Sequence, residues 1–123
     1  MPKVLVVDDD PRILRLVQIA LAAPDIEVVP AKSGREALAA LGSGIPDLAI
    51  LDLLLPDDSV EALIRALRAK QHVPVLLLSA WDPPEVEAKT REWGASDFLT
   101  KPFIPDDLVS KARTLLDGGP HTG

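Results

Sequence analysis

The chain has no cysteine, no run of lysine or arginine, no long hydrophobic stretch and no internal repeat or low-complexity segment. Without cysteine there is no disulfide framework, no thiolate metal site and no thiol chemistry, and cysteine usage says nothing about the compartment. Nineteen acidic residues outweigh thirteen basic ones, for a net charge of -6 and a pI near 4.8. A phosphate backbone attracts the opposite sign, so direct nucleic-acid contact is not expected. The apolar runs are too short to cross a bilayer, and Met1 to Val7 lacks the basic region and long apolar core of a signal peptide. No membrane association is expected, and cytoplasmic residence is the default.

The 123 residues are 47% hydrophobic and 26% charged, which suits one folded domain with a single core. Residues 1–117 are expected to form it, with the glycine-rich 118–123 as a flexible tail or linker stub. Unalternated apolar runs recur at Val4 to Val7, Leu48 to Leu51 and Val75 to Leu78, with weaker candidates at Glu27 to Val29 and Phe98 to Thr100. Such runs suit strands covered on both faces. Between them, apolar residues spaced by three or four mark five helices. Helix starts are signalled by Asp10 before Pro11, by Ser33 with Glu36 three residues on, and by Ser59. Strand and helix thus alternate five times, which predicts an α/β, doubly wound, five-stranded parallel sheet with five helices. Ligands of such sheets bind beyond the carboxyl ends of the strands.

Those ends bring Asp8, Asp9 and Asp10, then Asp52, Ser79 and Lys101, to one edge. Crowded carboxylates must either protonate or be neutralised by a cation. Oxygen ligands without histidine or cysteine favour a hard ion, Mg2+ above all. Asp10 is best placed as a helix cap, whereas Asp8 and Asp9 read equally as ligands or as a solvated loop. Asp52 tips the balance, because an acid enclosed by Leu48 to Leu51 and Leu53 to Leu55 requires a partner or a function. Ser79 taken alone reads more readily as a capping hydroxyl, the commoner fate of such residues, and Lys101 as an exposed amine or an ammonium reaching the carboxylates.

The blocks KVLVVDDDPRI, PDLAILDLLLPD, LLLSA and GASDFLTKPF, in this order across Lys3 to Leu116, resemble the receiver domain of bacterial two-component response regulators. The resemblance implies a flavodoxin-like fold with strand order 2-1-3-4-5. It implies Asp52 as phosphoacceptor, served by a histidine kinase or phosphotransfer protein, and Mg2+ held by Asp8, Asp9, Asp52 and the carbonyl of Leu54. Ser79 would turn toward the phosphoryl group, Lys101 would pair with it, Phe98 would follow the switch, and the Lys101–Pro102 bond would be cis. The fourth helix, fifth strand and fifth helix would report the change to an effector domain or output protein, or form a homodimer face. The domain would catalyse only its own phosphorylation and dephosphorylation.

The chain departs from the family where a glycine usually opens the third helix, beyond Pro56; Val60 stands there, with Ser59 expected to cap. Leu54 and Trp81, two residues beyond Asp52 and Ser79, flank the phosphoryl position and are too bulky and apolar to activate a water. Slow phosphoryl loss is therefore expected. Trp81 also reads as a surface aromatic that docks a partner. Asp82, Pro83 and Pro84 would stiffen the start of the fourth helix. A rival reading is a haloacid dehalogenase-type phosphohydrolase using Asp8 and Asp10, opposed by Pro11 and by too little chain for a cap domain. A phosphate-independent pseudo-receiver is disfavoured because the acid set is whole.

Overall fold

The apolar runs do form strands, and each is followed by a helix. The computed structural model describes residues 2–55 and 60–118, so Pro56 and Ser59, named above, lie outside the described residues. The strands are β1 (Lys3–Val7), β2 (Glu27–Ala31), β3 (Leu48–Asp52), β4 (Val75–Ser79) and β5 (Asp97–Thr100). The helices are α1 (Pro11–Ala20), α2 (Gly34–Ala40), α3 (Val60–Gln71), α4 (Pro83–Trp93) and α5 (Pro105–Leu116), with one 3-10 turn at Leu41–Ser43 after α2. All strand pairs are parallel, in the order β2-β1-β3-β4-β5. This is the expected flavodoxin-like order, and its reversal point between β1 and β3 is where such sheets place their ligands.

Side chains alternate across the sheet, so the unbroken apolar strands supply two cores at once. Leu5, Val7, Ala49, Leu51, Val75 and Leu77 pack on one face, with Ala37 of α2 and Leu63 and Leu67 of α3. Val4, Val6, Leu48, Ile50, Leu76 and Leu78 pack on the other, with Leu14 and Val17 of α1 and Leu108 and Ala112 of α5. Every residue of β3 and β4 is buried. Asp52 and Ser79 therefore stand at the ends of the two most deeply covered strands, where backbone freedom is least. At the sheet margin, Pro30 sits in β2, opposite Val6; proline has no N–H to offer a ladder and is tolerated on an edge strand.

Side-chain caps fix where α1 and α2 begin. Asp10 accepts a hydrogen bond from the Arg12 amide at 2.9 Å, and Pro11 opens α1 with its preset φ. Ser33 Oγ accepts from the Glu36 amide at 3.1 Å, while the Glu36 carboxylate accepts from the Lys32 amide at 3.0 Å. Asp82 also has N-cap dihedrals, yet its side chain makes no capping bond to α4. At the far end of α4, Gly94 takes φ 72° and its carbonyl accepts from Arg68 Nη1 of α3 at 2.6 Å. Left-handed backbone there suits a residue without Cβ.

Two substitutions separate a working cap from a nominal one. Ser33→Ala should lower unfolding free energy by about 1 kcal/mol, and Asp82→Ala by only a few tenths, both read from urea denaturation.

Candidate functional site

At the carboxyl end of β1 the chain turns sharply, and each of the three aspartates receives a different environment. Asp8 has no exposed surface, Asp9 is exposed, and Asp10 is partly covered. The Asp8 amide donates to the Ala31 carbonyl at 3.1 Å, which carries β1–β2 pairing one step past the strand. Asp8 Oδ1 accepts from the Asp10 amide at 2.9 Å, and Oδ2 accepts from Lys101 Nζ at 2.8 Å. Asp10 faces away, onto α1 and the Arg12 guanidinium. Hydrogen bonds from Arg12 hold the Asp10 carboxyl below its ordinary value. Its carboxylate is therefore occupied in capping.

Asp52, only 8% exposed, closes β3, and its Oδ1 accepts from the Leu54 amide at 3.1 Å. Its other oxygen lies 3.6 Å from Lys101 Nζ. Burial pushes the Asp52 carboxyl up to about 6; the Leu54 amide and the Lys101 charge oppose the rise, and Asp8 and Asp9 add to it. Lys101 is delivered by β5, whose end is tied to β4 by the Lys101 amide donating to the Ser79 carbonyl at 2.6 Å. The Lys101–Pro102 peptide is cis. Burial pulls the Lys101 ammonium down, but the Asp8 hydrogen bond and the charges of Asp52 and Asp8 outweigh it and hold it above its ordinary value. One ammonium thus bridges two carboxylates carried by two other strands.

Ser79 is 1% exposed, and its Oγ accepts from the Trp81 amide at 2.9 Å. Phe98 pairs with Leu77 in register, and Ser79 with Thr100. Period-two alternation therefore puts Ser79 and Phe98 on the same face of adjacent strands, with Phe98 half-buried against the core on the α3 side. Leu54, by contrast, is 55% exposed. Val60, in place of the glycine, begins α3 and is buried.

Asp8, Asp9 and Asp52 each offer a carboxylate oxygen within 4.8 Å of one another. This all-oxygen, anionic set fits a hard divalent cation that keeps some of its waters. Residues that sequence reasoning left unassigned also gather nearby: Trp93 and Lys89 of α4 line a cleft with Leu54 and Trp81. In the sequence Trp93 stands only with Val86 and Thr90, at the spacings of three and four that mark the fourth helix.

A sequence model described as the response regulator receiver domain matches residues 4–113. The chain belongs to this family. Receiver domains are modules of two-component signalling, and this one resembles the transcriptional regulatory protein KdpE of Mycobacterium tuberculosis, 39% identical over 113 residues, covering 92% of this chain and 50% of that protein. It is also similar to the alkaline phosphatase synthesis transcriptional regulatory protein PhoP of Bacillus subtilis, 36% identical over 115 residues, 93% of this chain and 48% of the relative. The receiver thus spans about half the length of these curated relatives. Among solved structures, the chemotaxis response regulator CheY4 of Vibrio cholerae superposes with a TM-score of 0.83 at 32% identity, over 94% of this chain and 98% of that one. No helix among the receiver's described residues is long and apolar enough to cross a membrane.

The raised pKa of Asp52 predicts a pH signature in the metal-free protein. A carboxyl raised in the fold stabilises below its unfolded pKa, and that stability is lost as pH rises toward the folded value of about 6. Asp52→Asn should therefore raise the melting temperature by several degrees near pH 7, and by much less near pH 4, in metal-free thermal scans.

Proposed function

We propose that this receiver is a phosphorylation-dependent switch whose acceptor is Asp52. The donor is a histidine kinase, a phosphotransfer protein or a small acyl phosphate. The observation that carries this reading is the Lys101 ammonium, 2.8 Å from Asp8 and 3.6 Å from Asp52, at the sheet edge beside Ser79. In transfer, an Asp52 oxygen forms the new O–P bond while the donor's bond to phosphorus breaks and its electron pair leaves with the donor. A carboxyl near 6 is mostly ionised at neutral pH, so the nucleophile is available. Asp8, Asp9, Asp52 and the Leu54 carbonyl would hold Mg2+, which when bound supplies positive charge to the phosphoryl oxygens.

Lys101 acts as a point charge that pairs with the phosphoryl group. Ser79 Oγ, which accepts from Trp81, keeps its own proton free to donate toward the new phosphoryl oxygens. That contact exists only in the modified protein, so it shifts the equilibrium between two arrangements. Movement of Ser79 changes the space open to Phe98 on the same face, and α4, β5 and α5 carry the change outward. Residues 1–117 form the signalling unit. An effector domain, a separate output protein or a second copy meeting the α4/β5/α5 face reads the state, in the cytoplasm. The domain catalyses only its own phosphorylation and dephosphorylation. Asp10, committed to α1 and Arg12, is poorly placed for the hydrolase alternative.

Incubation with acetyl phosphate and Mg2+ should add one phosphoryl group, located at Asp52 by borohydride trapping and peptide mass spectrometry, and Asp52→Asn should abolish it. Modification at Asp8 with continuous turnover would instead establish the hydrolase, and no modification at all would establish the pseudo-receiver. Leu54 and Trp81 flank the acceptor without a polar side chain to orient water, so the acyl phosphate should be long-lived. Trp81→Glu should shorten its half-life by about tenfold, measured as phosphate release from purified protein; an unchanged half-life would show that Trp81 does not limit hydrolysis.

A further inference from the structure

Both tryptophans of the chain stand on one cleft. It holds about 210 Å³; Leu54, Leu55, Val60, Trp81 and Trp93 are among its apolar walls, and Glu61 and Lys89 are its charged ones. None of Asp8, Asp9, Asp52, Ser79 or Lys101 lines it, so it is a separate space that adjoins the acid site through Leu54 and Trp81. The space takes a single aromatic ring rather than a drug-sized molecule. With aromatics only 3% of the sequence, two half-buried indoles on one small surface are a marked concentration, and indole walls favour flat rings.

The polar part of the cleft selects charge. Lys89 Nζ lies 5.2 Å from the Trp93 ring centroid, and its salt bridge to Glu92, at 3.2 Å, reaches a residue outside the lining. Glu61, the acid in the wall, is held by Arg65 at 2.8 Å. Both charged walls are ion-paired, but the Lys89–Glu92 contact is the longer one and an ammonium has three donors, so Lys89 can take a second anion from a ligand.

The walls are also wired to the acid site. The Leu54 amide donates to Asp52 Oδ1 and the Trp81 amide to Ser79 Oγ, so two residues that line the cleft hold the acceptor and the hydroxyl. We propose that this cleft is a binding site for a small aromatic carboxylate, its ring against Trp81 and Trp93 and its carboxylate on Lys89, and that its occupancy is linked to the phosphorylation state of Asp52. The linkage rests on the function proposed above, whereas the binding does not. Whatever phosphorylation does to ligand affinity, the ligand must do to phosphoryl-state stability by the same factor.

The full chain, labelled with ¹⁵N, has two indole N–H resonances, which can be followed while benzoate is added. Saturable shifts of both are expected, with the remaining resonance of Trp93→Leu no longer responding. Lys89→Met should weaken benzoate at least about fivefold while leaving neutral benzyl alcohol within about twofold, since only the charged contact is lost. Shifts that do not saturate, or that persist in Trp93→Leu, would overturn the site, and equal loss of both probes in Lys89→Met would overturn the assignment of the carboxylate. With Mg2+ and beryllofluoride added, the benzoate Kd should change at least about threefold; an unchanged Kd despite a fluorine signal from the bound adduct would overturn the linkage. Absence of that adduct, with benzoate still binding, would count against Asp52 as acceptor and leave the cleft standing.

Discussion

The ion triad of Asp8, Lys101 and Asp52 is the constraint around which the rest is arranged. Each member ends a different strand, and none could be placed alone: an unpaired buried charge costs several kcal/mol. Removing Lys101 would leave two buried carboxylates with oxygens within 4.8 Å of each other, and removing Asp8 would leave the ammonium without its shorter partner. The parallel sheet serves this by bringing three strand ends to one edge. The two fully covered strands, β3 and β4, hold Asp52 and Ser79 with the least backbone latitude. Stability and reactivity therefore pull against each other at this edge. Burial raises Asp52, and the same burial strengthens every charge that later acts on it.

Much of this was legible in the amino-acid order. Unalternated runs such as Val75 to Leu78 suited strands covered twice, and Asp10 before Pro11 was best placed as a cap. An aspartate set among leucines, as Asp52 is, announces a partner. What stayed hidden depended on long-range placement. Lys101 lies 93 residues from Asp8, and nothing local says that it prefers Asp8 to Asp52. Asp82 shows the opposite limit, since it has the cap residue type and cap dihedrals without the bond. The strand ending in Ala31 ran past a proline, because an edge position forgives what a central strand would not.

The two tryptophans illustrate why periodicity and chemistry are different kinds of information. Trp93 fits a helical stripe and so reads as core, while Trp81, in a loop, reads as surface. In three dimensions they share a cleft, and Leu54, whose exposed side chain looks wasteful, completes it. Small apolar sites of this sort arise where two loops at the same sheet edge and one helix converge. A sequence fixes each wall separately and says little about the space left between them.

Pro30 in the edge strand has a consequence for how such a domain can be read by others. An incoming extended segment would meet a gap in the donor row of β2 and could not add to the sheet as a continuous ladder. Recognition is thereby turned away from main-chain pairing, which is tolerant of sequence, toward side chains on the helices, which are not. In a cell holding many receivers of one fold, that favours fidelity of pairing.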